Sequence, residues 1–348
     1  MSIIKEGENM KKKLTPYRIV TLAMLVIVSL TFIFPFYWIM TGAFKLQTVA
    51  IALPPEWFPK QPTLENFVKL FKNPALKWFL NTVFVSAASM VLVCLTASLA
   101  GYAIAKKRFY GQSVVFSLII CAMALPKQVV LVPLVRVMDW VKQSMLLWFL
   151  FAVIMIIIIW FVFDKASKLG KIFSVRGLIA LVGVAALGVI IYMVALTPAL
   201  AKVGTKNLTD TLWAVVLPTV GWPFGVFMMK QFSESIPTEI LEAARIDGAG
   251  ELKTFVEVVC PIIKPGFGAL AIFTFINTWN DYFLQLIMLR SRANLTISLG
   301  IATLQAEYAT NYGLQMAGAA LGAVPIVLVF LMFQKYFTQG ITMGAVKG

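Results

Sequence analysis

Eight apolar runs of bilayer length, at roughly 19–40, 79–105, 113–135, 145–163, 177–200, 211–229, 266–289 and 314–334, constrain this chain more than anything else in it. A helix needs about 20 mostly apolar residues to cross the hydrocarbon core. In lipid every backbone N–H and C=O must pair within the protein, so only helices and closed barrels span it. The runs lack the alternation of barrel strands. They predict an all-α polytopic membrane protein. Composition agrees: 60% of the 348 residues are hydrophobic and 13% charged, and the mean hydropathy is +0.87. Soluble domains do not look like this.

The formal net charge is +15. Its basic residues sit at span ends and form no aromatic-interleaved face, so they point to membrane orientation and not to nucleic acid. Lys11, Lys12, Lys13 and Arg18 precede the first run, Ile19–Met40. That run exceeds a signal-peptide core, and reads as an uncleaved first span with a cytoplasmic N-terminus. Eight spans then return the C-terminus to the cytoplasm. Lys106-Lys107-Arg108, and Lys165, Lys168, Lys171 and Arg176, fall on the inner side. Histidine is absent, which removes the commonest metal ligand and neutral-pH base. Cys94, Cys121 and Cys260 suggest neither a disulfide framework nor a zinc site. Gly170-Lys171 is the nearest approach to a phosphate loop, and it lacks the upstream glycine and the following Ser or Thr.

Pro35, Pro126, Pro133, Pro218, Pro223 and Pro325 lie inside the runs. Single prolines read as ordinary kinks, whereas Pro218 with Pro223 predicts a break in the sixth span. The segment 42–78 holds Pro54, Pro55, Pro59, Pro62 and Pro74, and reads as an extended, surface-lying outer loop. In the seventh run Asn277, Asn280 and Asp281 stand at i, i+3 and i+4, on one helical face. Such a face either lines a polar route or bonds to neighbouring helices.

One polar stretch interrupts the apolar pattern, Ser233–Pro261. It contains Glu234, Glu239, Glu242, Asp247, Glu251 and Glu257, six of the fifteen acids. Pro237 suits a first helical turn, and Glu239 and Glu242 favour the positive end of the helix dipole. Leu241 and Ala244 give the helix an apolar face, and Gly248 fits the left-handed residue past its end. Leu252, Phe255, Val256 and Val259 then mark a second, amphipathic helix that Pro261 and Pro265 end. The physical reading leaves two possibilities, a partner's docking site or a hairpin on the headgroups.

Glu242-Ala243-Ala244, Gly248 and Val258-Val259-Cys260-Pro261 resemble the EAA loop of ABC import permeases. The string Glu242–Gly248 is similar to that of the carbohydrate-importing, maltose-type branch. Pro62-Thr63-Leu64-Glu65-Asn66-Phe67, Asn81-Thr82, Gly101-Tyr102-Ala103, Leu125-Pro126 and Trp279-Asn280-Asp281 follow that branch in order. The resemblance implies a six-span permease core in a prokaryotic cytoplasmic membrane. It implies no catalysis in this chain, with ATP and Mg bound by a separate ABC ATPase dimer. A homologous second permease subunit and an extracellular or periplasmic solute-binding protein complete the implied assembly. Glu242, Ala243, Ala244, Arg245, Asp247, Gly248 and Pro261 would couple to the ATPase through a cytoplasmic loop, 231–264. Asn277, Asn280 and Asp281 would line the path, and the loop Arg290–Tyr312 would reach towards the binding protein.

Two departures stand out. Gln285 occupies a place where the family usually has proline. The stretch 145–205 is extra, and its runs Met145–Phe163 and Gly177–Leu200 read as an inserted two-span hairpin, six spans plus two. The expected organisation is thus 1–78 for the tail, first span and outer loop, 79–144 for the first part of the core, 145–205 for the insert, and 206–348 for the rest. The alternative is a stand-alone secondary transporter of a small polar solute, which predicts inverted repeats; none is evident.

Overall fold

The computed structural model describes residues 16–141, 207–308 and 311–345, and the insert 145–205 lies outside them. The regular structure of the described residues is helical. They divide between two compact units. One is built from the chain up to Leu76 with Gly300–Leu328, the other from Lys77–Leu299 with the chain from Val329 on.

The first unit contains α1 (Pro16–Ala43), α2 (Gln47–Ala50), α3 (Glu65–Lys72) and parts of α14 (Ile297–Glu307) and α15 (Tyr312–Ala345). Apolar side chains stand exposed along α1, from Ile19 to Phe36. A helix that is apolar all round belongs in lipid. Its end is packed, however: a Cβ on Gly42 would lie 1.9 Å from Met316 Sδ. The segment 42–78 is not simply extended, because α3 forms within it. Leu64, Phe67, Val68 and Phe71 recur there at i, i+3, i+4 and i+7, a helical period hidden among prolines.

The second unit holds most of α4 (Ala75–Lys106), then α5 (Gln112–Ala124), α6 (Lys127–Trp140), α7 (Trp213–Val220) and α8 (Pro223–Glu234). After these come α9 (Thr238–Ile246), α10 (Glu251–Thr254), a π-helical turn (Phe255–Val259) and α11 (Cys260–Ile262). Next follow α12 (Lys264–Trp279) and α13 (Tyr282–Met288). Gly101 sets how closely α4 meets α8, since a Cβ there would lie 2.6 Å from Lys230 N and 2.7 Å from Met229 C. Backbone atoms cannot yield, so glycine is required.

Among the described residues three helices, α1, α4 and Tyr312–Gln334 of α15, are each long and apolar enough to cross a membrane, or up to five spans if each of two bent pairs counts as one. The third predicted span, 113–135, is such a pair: α5 and α6 meet at 105°. An ordinary kink does not describe it. Pro126 drives Leu125 to an extended backbone (φ −77°, ψ 129°) and is itself extended. The sixth span is broken at Gly221-Trp222, as Pro218 with Pro223 predicts. The seventh is broken as well, between α12 and α13.

Candidate functional site

The polar stretch folds as a helical lever. Pro237 caps α9 one position before the predicted first turn, and Leu241 and Ala244 are its buried face. Past Ile246 the chain closes a Schellman turn: Ala249 N donates to Ala244 O (2.9 Å) and Gly248 N to Arg245 O (3.0 Å). Gly248 has φ +79° with open space around it, so backbone conformation alone selects glycine there. Asp247 is the C-cap.

The second helix is less regular than its periodicity implies. Phe255 and Val259 are buried, but Leu252 and Val256 are exposed. The reason is the π-helical turn, where Cys260 N donates to Phe255 O and the side-chain period shifts. Pro261 has no N–H and crowds the carbonyl four residues back; the wider turn accommodates it. Pro261 sits inside the short α11 rather than ending the helix. The path then turns 79° into α12. Leu241, Phe255, Val259 and Ile263 share one core with Val93, Ala97 and Tyr102 of α4 and Met229 of α8. Tyr102 meets Phe255 ring to ring at 5.4 Å.

Two lysines read in the sequence only as orientation signals turn out to be fasteners. Lys106 Nζ donates to Glu234 O (3.1 Å) and Ile236 O (2.5 Å), capping the end of α8. Lys107 binds the Glu251 carboxylate, and Arg245 Nη2 reaches the same group at 3.4 Å. The hydrogen bond from Lys107, with Arg245 adding to it against partial burial, holds Glu251 below the usual carboxylate range. The polar stretch is thereby tied to the C-terminal end of α4. Its outer surface stays open: Glu242 and Ala243 are exposed, and Ile246 is 87% exposed.

Asn277, Asn280 and Asp281 do not continue one helix. Asn280 is the C-cap of α12, and Asp281 is the N-cap of α13, its Oδ1 accepting from Leu284 N (3.3 Å). Asn277 and Asn280 each donate to the carbonyl four residues back, Phe273 O and Ile276 O, both at 2.9 Å. All three nonetheless line one cavity of about 580 Å³. Leu125-Pro126 and Gly221-Trp222 line it too, so three helix breaks converge there. The lining is mostly apolar, with Lys127, Gln128, Thr219, Asn277, Asn280 and Asp281 among its polar members.

Gln285 is the residue sequence reasoning undervalued. It is fully buried; its Nε2 donates to Thr278 O (2.8 Å), and its Oε1 accepts from the Thr296 hydroxyl. It bridges the α12–α13 break and fastens it to the following loop. Asp210, also missed, anchors that loop. It stands at φ 61°, accepts from Arg290 N (2.8 Å), Ser291 N (2.9 Å) and the Ser291 hydroxyl, and its carbonyl takes Asn294 Nδ2 (2.6 Å). From α4, Trp78 Nε1 reaches Arg292 O, and Asn81 Nδ2 reaches Ala293 O and Leu295 O at 2.6–3.0 Å. The start of the predicted reaching loop is therefore strapped down, and its continuation forms α14.

Residues 164–343 match the family described as binding-protein-dependent transport system inner membrane component. The chain is 30% identical to the arabinooligosaccharides transport system permease protein AraQ of Halalkalibacterium halodurans, over 83% of this chain and 81% of that one. It is 29% identical to the melibiose/raffinose/stachyose import permease protein MelC of Bacillus subtilis, over 95% and 97%. A bacterial ABC transporter involved in the import of the acidic polysaccharide alginate shares the fold, with a TM-score of 0.62, 18% identity, and 92% and 96% coverage.

Proposed function

The chain belongs to the family of binding-protein-dependent transport system inner membrane components, and we propose from that premise that it is the permease subunit of an ABC importer for carbohydrates. Relatives named for arabinooligosaccharide, melibiose and maltodextrin transport support a sugar as cargo. Family membership leaves the stand-alone secondary transporter without support.

The observation that carries the mechanism is the lever at 231–264. A separate ATPase dimer, which binds the ATP and Mg, takes the exposed Glu242–Gly248 edge of α9. Leu241 and Ala244 beneath it, and the ties from Lys106 and Lys107, pass a push on α9 into α4 and α8. Helix α4 meets the break before α8, where the Thr96 hydroxyl donates to Val220 O (3.3 Å), and α8 begins in the cavity wall at Pro223. There Asn277, Asn280 and Asp281 supply polar groups for sugar hydroxyls, and Trp222 supplies a ring face. A second permease subunit completes the path, and a solute-binding protein delivers the cargo outside. Six core spans, a two-span insert at 145–205 and cytoplasmic termini in a prokaryotic membrane belong to the same reading.

Glu242→Lys tests it, because Glu242 is exposed and its exchange leaves the fold intact. In vesicles holding the complete importer, uptake should fall at least tenfold, the effect of losing about 1.4 kcal/mol of coupling, while the protein stays at wild-type abundance. Gly248→Pro, which forbids φ +79°, should do the same. Wild-type coupled uptake in both variants contradicts the proposal.

A further inference from the structure

Helix α3 carries an apolar face that the transport reading does not use. Its buried side is Asn66 and Leu70. On the opposite side Leu64, Val68 and Phe71 are 63%, 54% and 50% exposed at i, i+4 and i+7. Phe44 and Phe67, with rings 5.2 Å apart, line the groove beside them. Glu65 and Lys69 pair at 2.6 Å on the flank, and Lys72 follows.

The helix is held at a defined depth. Asn66 Nδ2 donates to Ala43 O (2.9 Å) and Lys45 O (2.7 Å), at the end of α1. Gly313, at the start of α15, lies so close that a Cβ would meet the Asn66 amide at 2.7 Å. Gly313 N also donates to Gln47 Oε1 (3.2 Å). One candidate span ends at this point and another begins. The neighbouring chain carries a cluster of amphipathic rings. Trp57 packs on Phe34 and Trp38, each at 6.1 Å, Phe58 packs on Tyr37 at 5.5 Å, and the Tyr37 hydroxyl donates to Trp57 O (2.8 Å). The Lys45 ammonium lies 4.4 Å from the Trp38 ring centroid. Aromatic rings and lysines at a span's end mark the headgroup level.

We propose that α3 is an interfacial helix whose Leu64–Val68–Phe71 face rests in the boundary between lipid headgroups and acyl chains, where α1 leaves the bilayer. Apolar side chains stand exposed along α1 as far as Phe36 and again at Met40, and Asn66 holds α3 to the end of that helix. Lys72, which borders the groove, suits an anionic headgroup phosphate. The helix thus fixes the height of the segment 44–72 on the membrane, independently of any ATPase contact.

Spin labels on Val68→Cys and Phe71→Cys test this, in a chain with Cys94, Cys121 and Cys260 replaced by Ser. The protein is reconstituted, with the subunits that copurify, in vesicles of phosphatidylethanolamine and phosphatidylglycerol. Collision with oxygen and with a water-soluble nickel chelate is then measured. Lipid contact predicts high oxygen and low nickel accessibility at both sites, at a depth on the order of 5–10 Å below the phosphates. A label on Glu65→Cys should be the more nickel-accessible. Nickel access at Val68 and Phe71 means water covers the face, and low access to both reagents means a protein covers it; either result overturns the proposal. Leu64→Cys gives the same reading should either labelled variant fail to accumulate.

Discussion

Gln285 shows how a single residue alters the local design. The chain breaks its helix at Asn280-Asp281 and closes the break with this side chain. The amide donates to Thr278 O, whose other partner is Asp281 N at 3.4 Å, and holds the buried Thr296 hydroxyl. Gln285→Leu should leave the Thr296 hydroxyl buried without its acceptor and Thr278 O with the long bond alone, at a cost of about 1–3 kcal/mol. The unfolding midpoint of the purified protein should drop accordingly; an unchanged midpoint means the bridge carries no stability. The motifs quoted from the sequence were legible because backbone demands them. Gly248 needs φ +79°, Gly101 faces another helix's backbone, and Pro126 cannot continue a helix. Asp210 and Lys107 were illegible in those roles, since their partners lie 81 and 144 residues along the chain; Gln285 bonds to nearby Thr278 and Thr296, but only the break in the helix brings them to it.

At the scale of elements, periodicity identified α9 and its end but not the π-helical turn, because Pro261 acts on the geometry before it rather than on the pattern of apolar residues. It also passed over α3, whose eight residues are set among prolines. The loop 289–296 is held by charge as well as by amides. Partial burial raises the Asp210 pKa, but hydrogen bonds from Ser291, Arg290 and Asn294 outweigh it and leave it below the ordinary value. A group depressed in the folded state stabilises fully above its unfolded pKa, and that contribution is lost as pH falls through the folded one. Hydrogen exchange of 289–296, normalised to intrinsic rates, should therefore be flat from neutral pH down to about the ordinary carboxylate value of 3.8 and accelerate below it. Asp210→Asn should accelerate it at neutral pH. Loss of protection already near pH 6 would mean that Asp210 is not the anchor.

At the scale of the molecule, the apolar runs were enough to establish a helical membrane protein, because lipid admits only helices and closed barrels and the runs lack a barrel's alternation. They were not enough to show which runs are straight. Runs one, two and eight contain unbroken helices, while runs three, six and seven are pairs of shorter ones. A run's hydropathy is blind to a break, and the breaks are where the cavity forms. The central claim is that α9 presents its exposed edge to an ATP-hydrolysing subunit and does not lie on the headgroups. A photo-crosslinking amino acid at Ala243, in membranes carrying the complete transport system, tests it directly. The account predicts an adduct between this chain and the ATP-binding subunit. Adducts with lipid alone would contradict it.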